Sequence, residues 1–422
     1  MLAEDFGIKV DCEEQILDDF VSEQNEKFLH LHEWQQQAIN FFFNNKCKAI
    51  FEVTTGAGKT FCAIEIIKKL LEVDEKIYVL IVVPKNVILE EGWVKELKRE
   101  FNLRDVGVYY GFAKEVCKFT VTNMQNLSKL ELSLFDFVIL DEIHNYGTKR
   151  LLALLQEHKF KYLLGLSATL ERMDGNHWKL LKYFDYNKFD YSPREALVDG
   201  VINEFNFYNI GVTMTEEDYE KYNEMTQKIT AVLTKGGSFN RIMMGKCTDV
   251  TLKPQLLKLL IERKQFVLNY PLKFEVLKNV CAQHLTDKIL VFNEYNSQTS
   301  KCYWHLLEKG MHARVLHSGV DKKQREEALT DYKNNKFNIL LATKILDEGY
   351  NLPAIDCAII QAGNSTARQT IQRMGRVLRK KDKISSLYQI YVKDTMEEKQ
   401  AVERAILFKE LCTDFRDEMY EG

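Results

Sequence analysis

The feature that most constrains this chain is Thr54-Thr55-Gly56-Ala57-Gly58-Lys59-Thr60, which follows the β-rich run Ala49–Val53 and opens the amphipathic segment Thr60–Leu71. A strand that turns through glycines into a helix brings backbone N–H groups and the positive end of the helix field to one point, a cradle for phosphate. Thr55, Gly56, Ala57 and Gly58 are the expected cradle. Lys59 is expected to reach the β- and γ-phosphates and Thr60 to hold Mg²⁺. One departure is visible: Val53 stands where the general pattern has its first glycine.

The surrounding pattern is strand–helix alternation. Tyr78–Val83, Phe119–Thr122, Phe137–Leu140 and Tyr162–Leu166 read as further strands, with amphipathic segments such as Gly92–Phe101 between them. A second block repeats the pattern in Lys288–Phe292, Ala313–Leu316, Asn338–Ala342, Cys357–Ile360 and Leu387–Tyr391. This alternation predicts an α/β fold with two parallel-sheet domains in tandem. The expected divisions are an acidic extension over 1–30, a first domain over 31–212, a helical, partly basic insertion over 213–271, and a second domain with a C-terminal helix over 272–422. From Gln227 to Lys264 the insertion carries eight Lys/Arg against Asp249 and Glu262. Its Arg241, Lys246, Lys253 and Lys258 are candidate phosphate-backbone contacts.

Composition excludes little. The 58 basic and 61 acidic residues leave a net charge of −3, and a basic groove is compatible with an acidic remainder. No apolar run is long enough to span a membrane, and Met1–Phe20 lacks the basic start and apolar core of a secretory signal. The expected location is cytoplasmic or nucleoid-associated, or host cytoplasm for a viral chain. Nine dispersed cysteines read as reduced thiols. The pairs Cys281/His284 and Cys302/His305 read as helix-face residues rather than zinc ligands.

Asp141-Glu142-Ile143-His144 follows the apolar run Phe137–Leu140. A carboxylate at a strand's C-terminal end suits Mg²⁺, and its neighbour suits polarising the attacking water. Asp141 is therefore the second metal candidate and Glu142 the catalytic one.

Further motifs carry a resemblance. Ser167-Ala168-Thr169 resembles the third motif of superfamily 2 helicases; Asp347-Glu348-Gly349 resembles their motif V. Gln369-x-x-Gln372-Arg373-Met374-Gly375-Arg376-Val377-Leu378-Arg379 resembles motif VI. Leu31-His32-Glu33-Trp34-Gln35 is similar to the segment whose glutamine reads adenine. Val82-Val83-Pro84-Lys85, Thr122-Asn123-Met124-Gln125 and His317-Ser318-Gly319 resemble strand-contacting motifs. Within the superfamily, Gly165–Gly175 and Ala196–Gly200 are similar to the restriction-motor and xeroderma pigmentosum group B type group, and compact phage branch-migration helicases are built similarly. The group's arginine-glutamate-aspartate motif is not reproduced; Glu171-Arg172-Met173-Asp174 stands there.

The resemblance implies two RecA-like domains that clamp ATP·Mg²⁺ and move along DNA. Lys59, Asp141, Glu142, Arg376 and Arg379 would be catalytic, with Gln35, Glu348 and Gly349 also at the nucleotide. His144, Ser167, Thr169 and Gln372 would couple ATP to movement. Pro84, Lys85, Thr122, His317 and Thr343 would join the basic insertion at the nucleic acid, whether single strand, duplex, fork or junction. His144 and Gln372 stand where RNA helicases with a DEAD box usually carry Asp and His, which favours DNA over RNA. An RNA-dependent ATPase and a non-catalytic nucleotide switch are the alternatives. Trp34 and Trp93 are expected to be packing residues.

Overall fold

The computed structural model describes residues 31–84, 89–172, 174–343, 352–361, 381 and 383–421. It divides into two units, whose described boundary falls between Ile202 and Asn203.

The first unit holds β1 (Lys48–Val53), β2 (Val79–Val83), β3 (Val106–Tyr110), β4 (Ala113–Lys114), β5 (Phe119–Asn123), β6 (Phe137–Asp141), β7 (Tyr162–Ser167) and β8 (Lys188–Tyr191). They form one sheet in the order β4-β3-β5-β2-β6-β7-β1-β8. Every pairing is parallel except the short β3–β4 hairpin. β2 is apolar throughout and all five residues are buried, as a central parallel strand covered on both faces requires. The core beneath includes Ile50, Leu80, Val82, Leu140, Ile143 and Tyr146. The segment expected to be one helix over 92–101 begins instead with wide π-helical turns over Leu89–Val94 and continues as α-helix over Lys95–Glu100.

The second unit holds β9 (Phe205–Val212), β10 (Ile289–Phe292), β11 (Ala313–Leu316), β12 (Ile339–Ala342), β13 (Cys357–Ile360), β14 (Ser385–Val392) and β15 (Asp414–Tyr420). The order is β11-β12-β10-β13-β14-β9-β15, parallel throughout. The expected division at 212/213 is therefore corrected: β9 pairs along its whole length with β14, from Phe205↔Ser385 to Val212↔Val392, and belongs to the second sheet. Alternation alone places β9 in the preceding block because nothing in its composition records which sheet a strand joins.

The helical segment expected between the domains is instead inserted within the second, after β9 and before the helix Pro271–Gln283. It comprises Glu216–Gly236, Phe239–Met243 and Leu252–Leu268, held by a small core of Ile229, Val232, Ile242, Leu252 and Leu256. The expected C-terminal helix, Met396–Lys409, is followed by β15, an edge strand whose outward residues are largely charged. Charge on an edge discourages further strand pairing. Cys281 and Cys302 are fully buried in the second core, while His284 bonds Asp287 and Tyr388. Among the described residues, no helix is long and apolar enough to cross a membrane.

Candidate nucleotide site and its coupling network

The phosphate loop leaves β1 at Val53 and enters the helix Lys59–Val73. Gly56 and Gly58 take positive φ values of 86° and 99°, a region that side chains with a Cβ strongly disfavour. Gly58 is also crowded: a Cβ there would lie 3.0 Å from Nε2 of Gln35. Gln35 is nearly buried. Its Oε1 accepts from the His32 backbone N–H at 3.0 Å, and its Nε2 approaches the Gly58 carbonyl at 3.5 Å. The residue expected at the adenine thus ties the preceding helix to the phosphate loop. The Lys59 ammonium donates to the carbonyls of Val53 at 2.8 Å and Thr54 at 3.3 Å. Burial lowers its pKa, opposed by the fields of Glu142 and Asp141.

The acidic box ends β6. One Asp141 oxygen, Oδ1, accepts from the Glu142 backbone N–H, and the other, Oδ2, accepts from the Trp93 indole, both at 2.9 Å. Burial raises the Asp141 pKa, with Trp93, Lys59 and the Glu142 N–H pulling the other way. Glu142 adopts φ 49°, unusual for a residue with a side chain, and the chain turns sharply there into Ile143–Tyr146. The donors expected for Mg²⁺, the Thr60 hydroxyl and the Asp141 carboxylate, are hard oxygens of the kind that ion prefers. Asp141 already has both oxygens oriented by N–H donors, so the carboxylate fits that task.

Strand order places the third motif beside both the phosphate-loop strand and the acidic-box strand. β7 lies between β1 and β6, so Ser167 at its end sits beside Glu52 of β1, and Leu166 sits beside Asp141 of β6. His144 Nδ1 is 3.0 Å from Ser167 Oγ and 3.3 Å from Glu142 Oε2. The Ser167 hydroxyl in turn donates to the Thr169 carbonyl at 2.6 Å. Three of the four residues expected to couple, His144, Ser167 and Thr169, lie in one chain of contacts.

Three contributors are not visible from the sequence motifs. Glu52 accepts from the Leu170 N–H at 2.8 Å and pairs with Lys188 at 2.9 Å, pinning the third motif to β1. Arg172 pairs with Asp174 and donates to the His144 carbonyl, so the divergent 171–174 stretch still reaches the acidic box. Trp93, expected only to pack, bonds Asp141. A charged residue inside an apolar strand was the available signal for Glu52; none distinguished Trp93.

The expected nucleic-acid contacts separate into two groups. Thr122 is fully buried and its hydroxyl donates to the Tyr109 carbonyl at 2.8 Å; Thr343 is also buried. Neither side chain is presented at the surface where the expected nucleic-acid contact would lie: Thr122 is within β5 and Thr343 follows the end of β12. Gln125, just beyond Thr122, is exposed. Pro84 and His317 are half-buried at strand ends. Arg241, Lys246, Lys253 and Lys258 are all exposed, although Lys253 reaches the Met243 carbonyl and Arg241 Nε approaches that of Lys246 at 3.4 Å. Lys85, Glu348, Gly349, Gln372, Arg376 and Arg379 lie outside the described residues.

Two parallel α/β sheets, the first carrying a phosphate loop and an acidic box on strands that flank a third motif, define a RecA-like motor ATPase of the helicase kind. The chain belongs to superfamily 2 of the helicases. Residues 28–172 match the family described as "Type III restriction enzyme, res subunit", and residues 272–381 match "Helicase conserved C-terminal domain". It is 27% identical over 402 residues to a "DNA 3'-5' translocase XPB2" of Sulfurisphaera tokodaii, covering 92% of this chain and 88% of the relative. A "DNA 3'-5' helicase XPB" of Kineococcus radiotolerans is 24% identical, covering 89% of this chain and 62% of the relative. In fold it is similar to the Hef helicase domain of Pyrococcus furiosus, with a TM-score of 0.63 at 16% identity, covering 88% of this chain and 97% of that one.

Proposed function

We propose that this chain is an ATP-driven DNA helicase or translocase. The observation that carries the reading is the chain of side-chain contacts from Glu142 through His144 and Ser167 to Thr169, built beside the phosphate loop. It gives a group at the hydrolytic water a mechanical outlet. In this reading Lys59 neutralises the β- and γ-phosphates, Thr60 and Asp141 hold Mg²⁺, and Glu142 orients the attacking water. Mg²⁺ when bound neutralises charge developing on the phosphates. Arg376 and Arg379 act as arginine fingers, Glu348 and Gly349 attend the nucleotide, and Gln372 joins the coupling. The adenine role of Gln35 belongs to the same reading.

DNA is the proposed track because two relatives matched over about nine-tenths of this chain are named for DNA. In sequence, several RNA helicases match shorter stretches, such as 31% identity over 96 residues, or 23% of this chain, for a rice DEAD-box protein. The proposed polarity is the 3'-5' direction those DNA relatives carry in their names. A motor must step over any sequence, so interactions with the sugar-phosphate backbone should dominate.

The test is one panel of ATPase and strand-separation assays on single strand, duplex, fork, four-way junction and RNA. Stimulation by at least one DNA substrate above RNA is expected. Equal or stronger stimulation by RNA would replace the DNA reading with the RNA one, and no turnover with any substrate would leave a nucleotide-switched binding module.

A further inference from the structure

Trp93 lies outside every motif that the helicase reading uses, yet its indole touches the carboxylate assigned to the metal. The residue is 1% exposed and its Nε1 donates to Asp141 Oδ2 at 2.9 Å. Burial alone does not force such a bond in this domain. Trp34 is equally inaccessible, at 2%, and stacks on Tyr191 with 4.8 Å between ring centroids, but its Nε1 has no hydrogen-bond partner among the described residues. One buried indole serves packing; the other is aimed at Asp141.

The geometry has a definite consequence. A carboxylate held by a single donor rotates about its last torsion and presents either oxygen. Asp141 is held by two, the Glu142 N–H on Oδ1 and the Trp93 N–H on Oδ2. An indole N–H only donates, so it never competes with the carboxylate for a cation. β2 and β6 are neighbours, and the turn carrying Trp93 is part of the connection that leaves β2. The sheet's own topology therefore delivers the donor to the end of β6. Groups that orient a metal-holding carboxylate in this way commonly matter almost as much as the ligand itself.

We propose that Trp93 is a positioning residue for the divalent cation, setting the orientation of the Asp141 carboxylate through its indole N–H. The proposal rests on the reading of Asp141 as a Mg²⁺ ligand. It goes beyond that reading by assigning a function to a residue that neither the phosphate loop nor the acidic box contains.

Two substitutions separate the donor from the bulk. Trp93→Phe keeps a large aromatic ring and removes the N–H. Trp93→His keeps a ring N–H, because an imidazole overlays the pyrrole half of an indole, and removes bulk. Binding of a fluorescent ADP analogue is titrated in EDTA and across a Mg²⁺ series, and thermal midpoints are recorded for each protein. For Trp93→Phe, metal-free ADP affinity should stay within about twofold of wild type, while the Mg²⁺ concentration giving half-maximal enhancement rises roughly tenfold, the low end of effects on such orienting groups. Trp93→His should lose more thermal stability but keep its Mg²⁺ midpoint within about threefold of wild type. In an Asp141→Asn background, Trp93→Phe should add no further change in the Mg²⁺ midpoint.

A Trp93→Phe protein with the wild-type Mg²⁺ midpoint overturns the proposal. So does a uniform loss of ADP affinity with and without metal, which would mark a packing role. Where one variant does not fold, the other decides by the same midpoint criterion. A wild-type protein that binds ADP with no Mg²⁺ enhancement, or does not bind it, would instead sink the nucleotide reading on which the proposal stands.

Discussion

His144 Nδ1 and Ser167 Oγ lie 3.0 Å apart, joining the acidic box at the end of β6 to the third motif at the end of β7. Ser167 is fully buried, and its hydroxyl extends the link to the Thr169 carbonyl. Because the two strands are neighbours in register, a single side chain, His144, lies between Glu142 and the third motif.

Ser167→Ala removes that link while leaving the phosphate loop and both carboxylates in place. Basal ATP hydrolysis should stay within a few-fold of wild type, and stimulation by DNA should fall by about tenfold, corresponding to a ~1.4 kcal/mol coupling. Steady-state ATPase with and without a DNA cofactor measures both. An unchanged stimulation ratio would show that coupling runs elsewhere.

Lys59→Ala should abolish hydrolysis, since the β- and γ-phosphates lose their cation. Glu142→Gln should still bind ATP but turn over at least ~10²-fold more slowly, because phosphate binding survives while orientation of the water does not. Filter binding and phosphate release separate these outcomes, and near-normal turnover in either variant would remove the residue from the site.

Gly165 lies in β7 under the acidic box, and a Cβ there would meet Ile143 Cδ1 at 2.3 Å. Gly165→Ala should cost about 1–3 kcal/mol of unfolding free energy through overpacking. The double variant Gly165→Ala/Ile143→Val, which removes the clashing Cδ1, should recover part of that loss. Urea denaturation of both proteins checks this; simple additivity would mean that the backbone, not Ile143, absorbs the strain.

In the second domain Asp287 bonds Lys383 and, at 2.7 Å, His284. Burial raises its pKa, but the lysine and histidine outweigh that and hold it below the usual carboxylate value. A depressed folded-state pKa gives stability that is present above the unfolded value of about 3.9 and lost as pH falls through the folded one. Asp287→Asn should therefore be clearly less stable than wild type near neutrality, and the gap should close as the pH drops below about 4. Parallel melting curves across pH test the sign; a gap that widens in acid would reverse it.

Neutralising Arg241, Lys246, Lys253 and Lys258 together should weaken binding to a fork or junction and flatten its salt dependence. The slope should fall by up to ~0.9 for each duplex phosphate that is no longer neutralised. DNA-independent ATPase should be nearly unchanged. Identical slopes would leave these charges as a solvated helical face, and an abolished basal turnover would make the segment a structural prop.

The chemistry is more legible in the sequence than the architecture. Lys59, Asp141 and Glu142 stand out as candidates because phosphate and metal sites demand fixed residue types at strand ends, and those types recur at readable spacing. Val79–Val83 and Phe137–Leu140 stand out as unbroken apolar runs, as doubly covered parallel strands do. Phe205–Val212 reads as part of the wrong block because strand partners are chosen by tertiary packing. Thr122 looks exposed because a hydroxyl at a strand end reads as polar surface, whereas the Tyr109 carbonyl takes it up. Trp93 is invisible for a different reason: an indole signals burial in sequence but gives no sign of where its N–H points.

The position of β9 also dictates how the second half can be cut out and studied alone. A fragment beginning at residue 213 or 272 would discard a strand that pairs on one side with β14 and on the other with β15. It would bare the long, mostly apolar flank of β14 and strand the tail segment Asp414–Tyr420 without a neighbour, both invitations to intermolecular pairing. A soluble C-terminal half has to start ahead of Phe205, and insoluble shorter versions would reflect a missing middle plank rather than an intrinsically unstable domain.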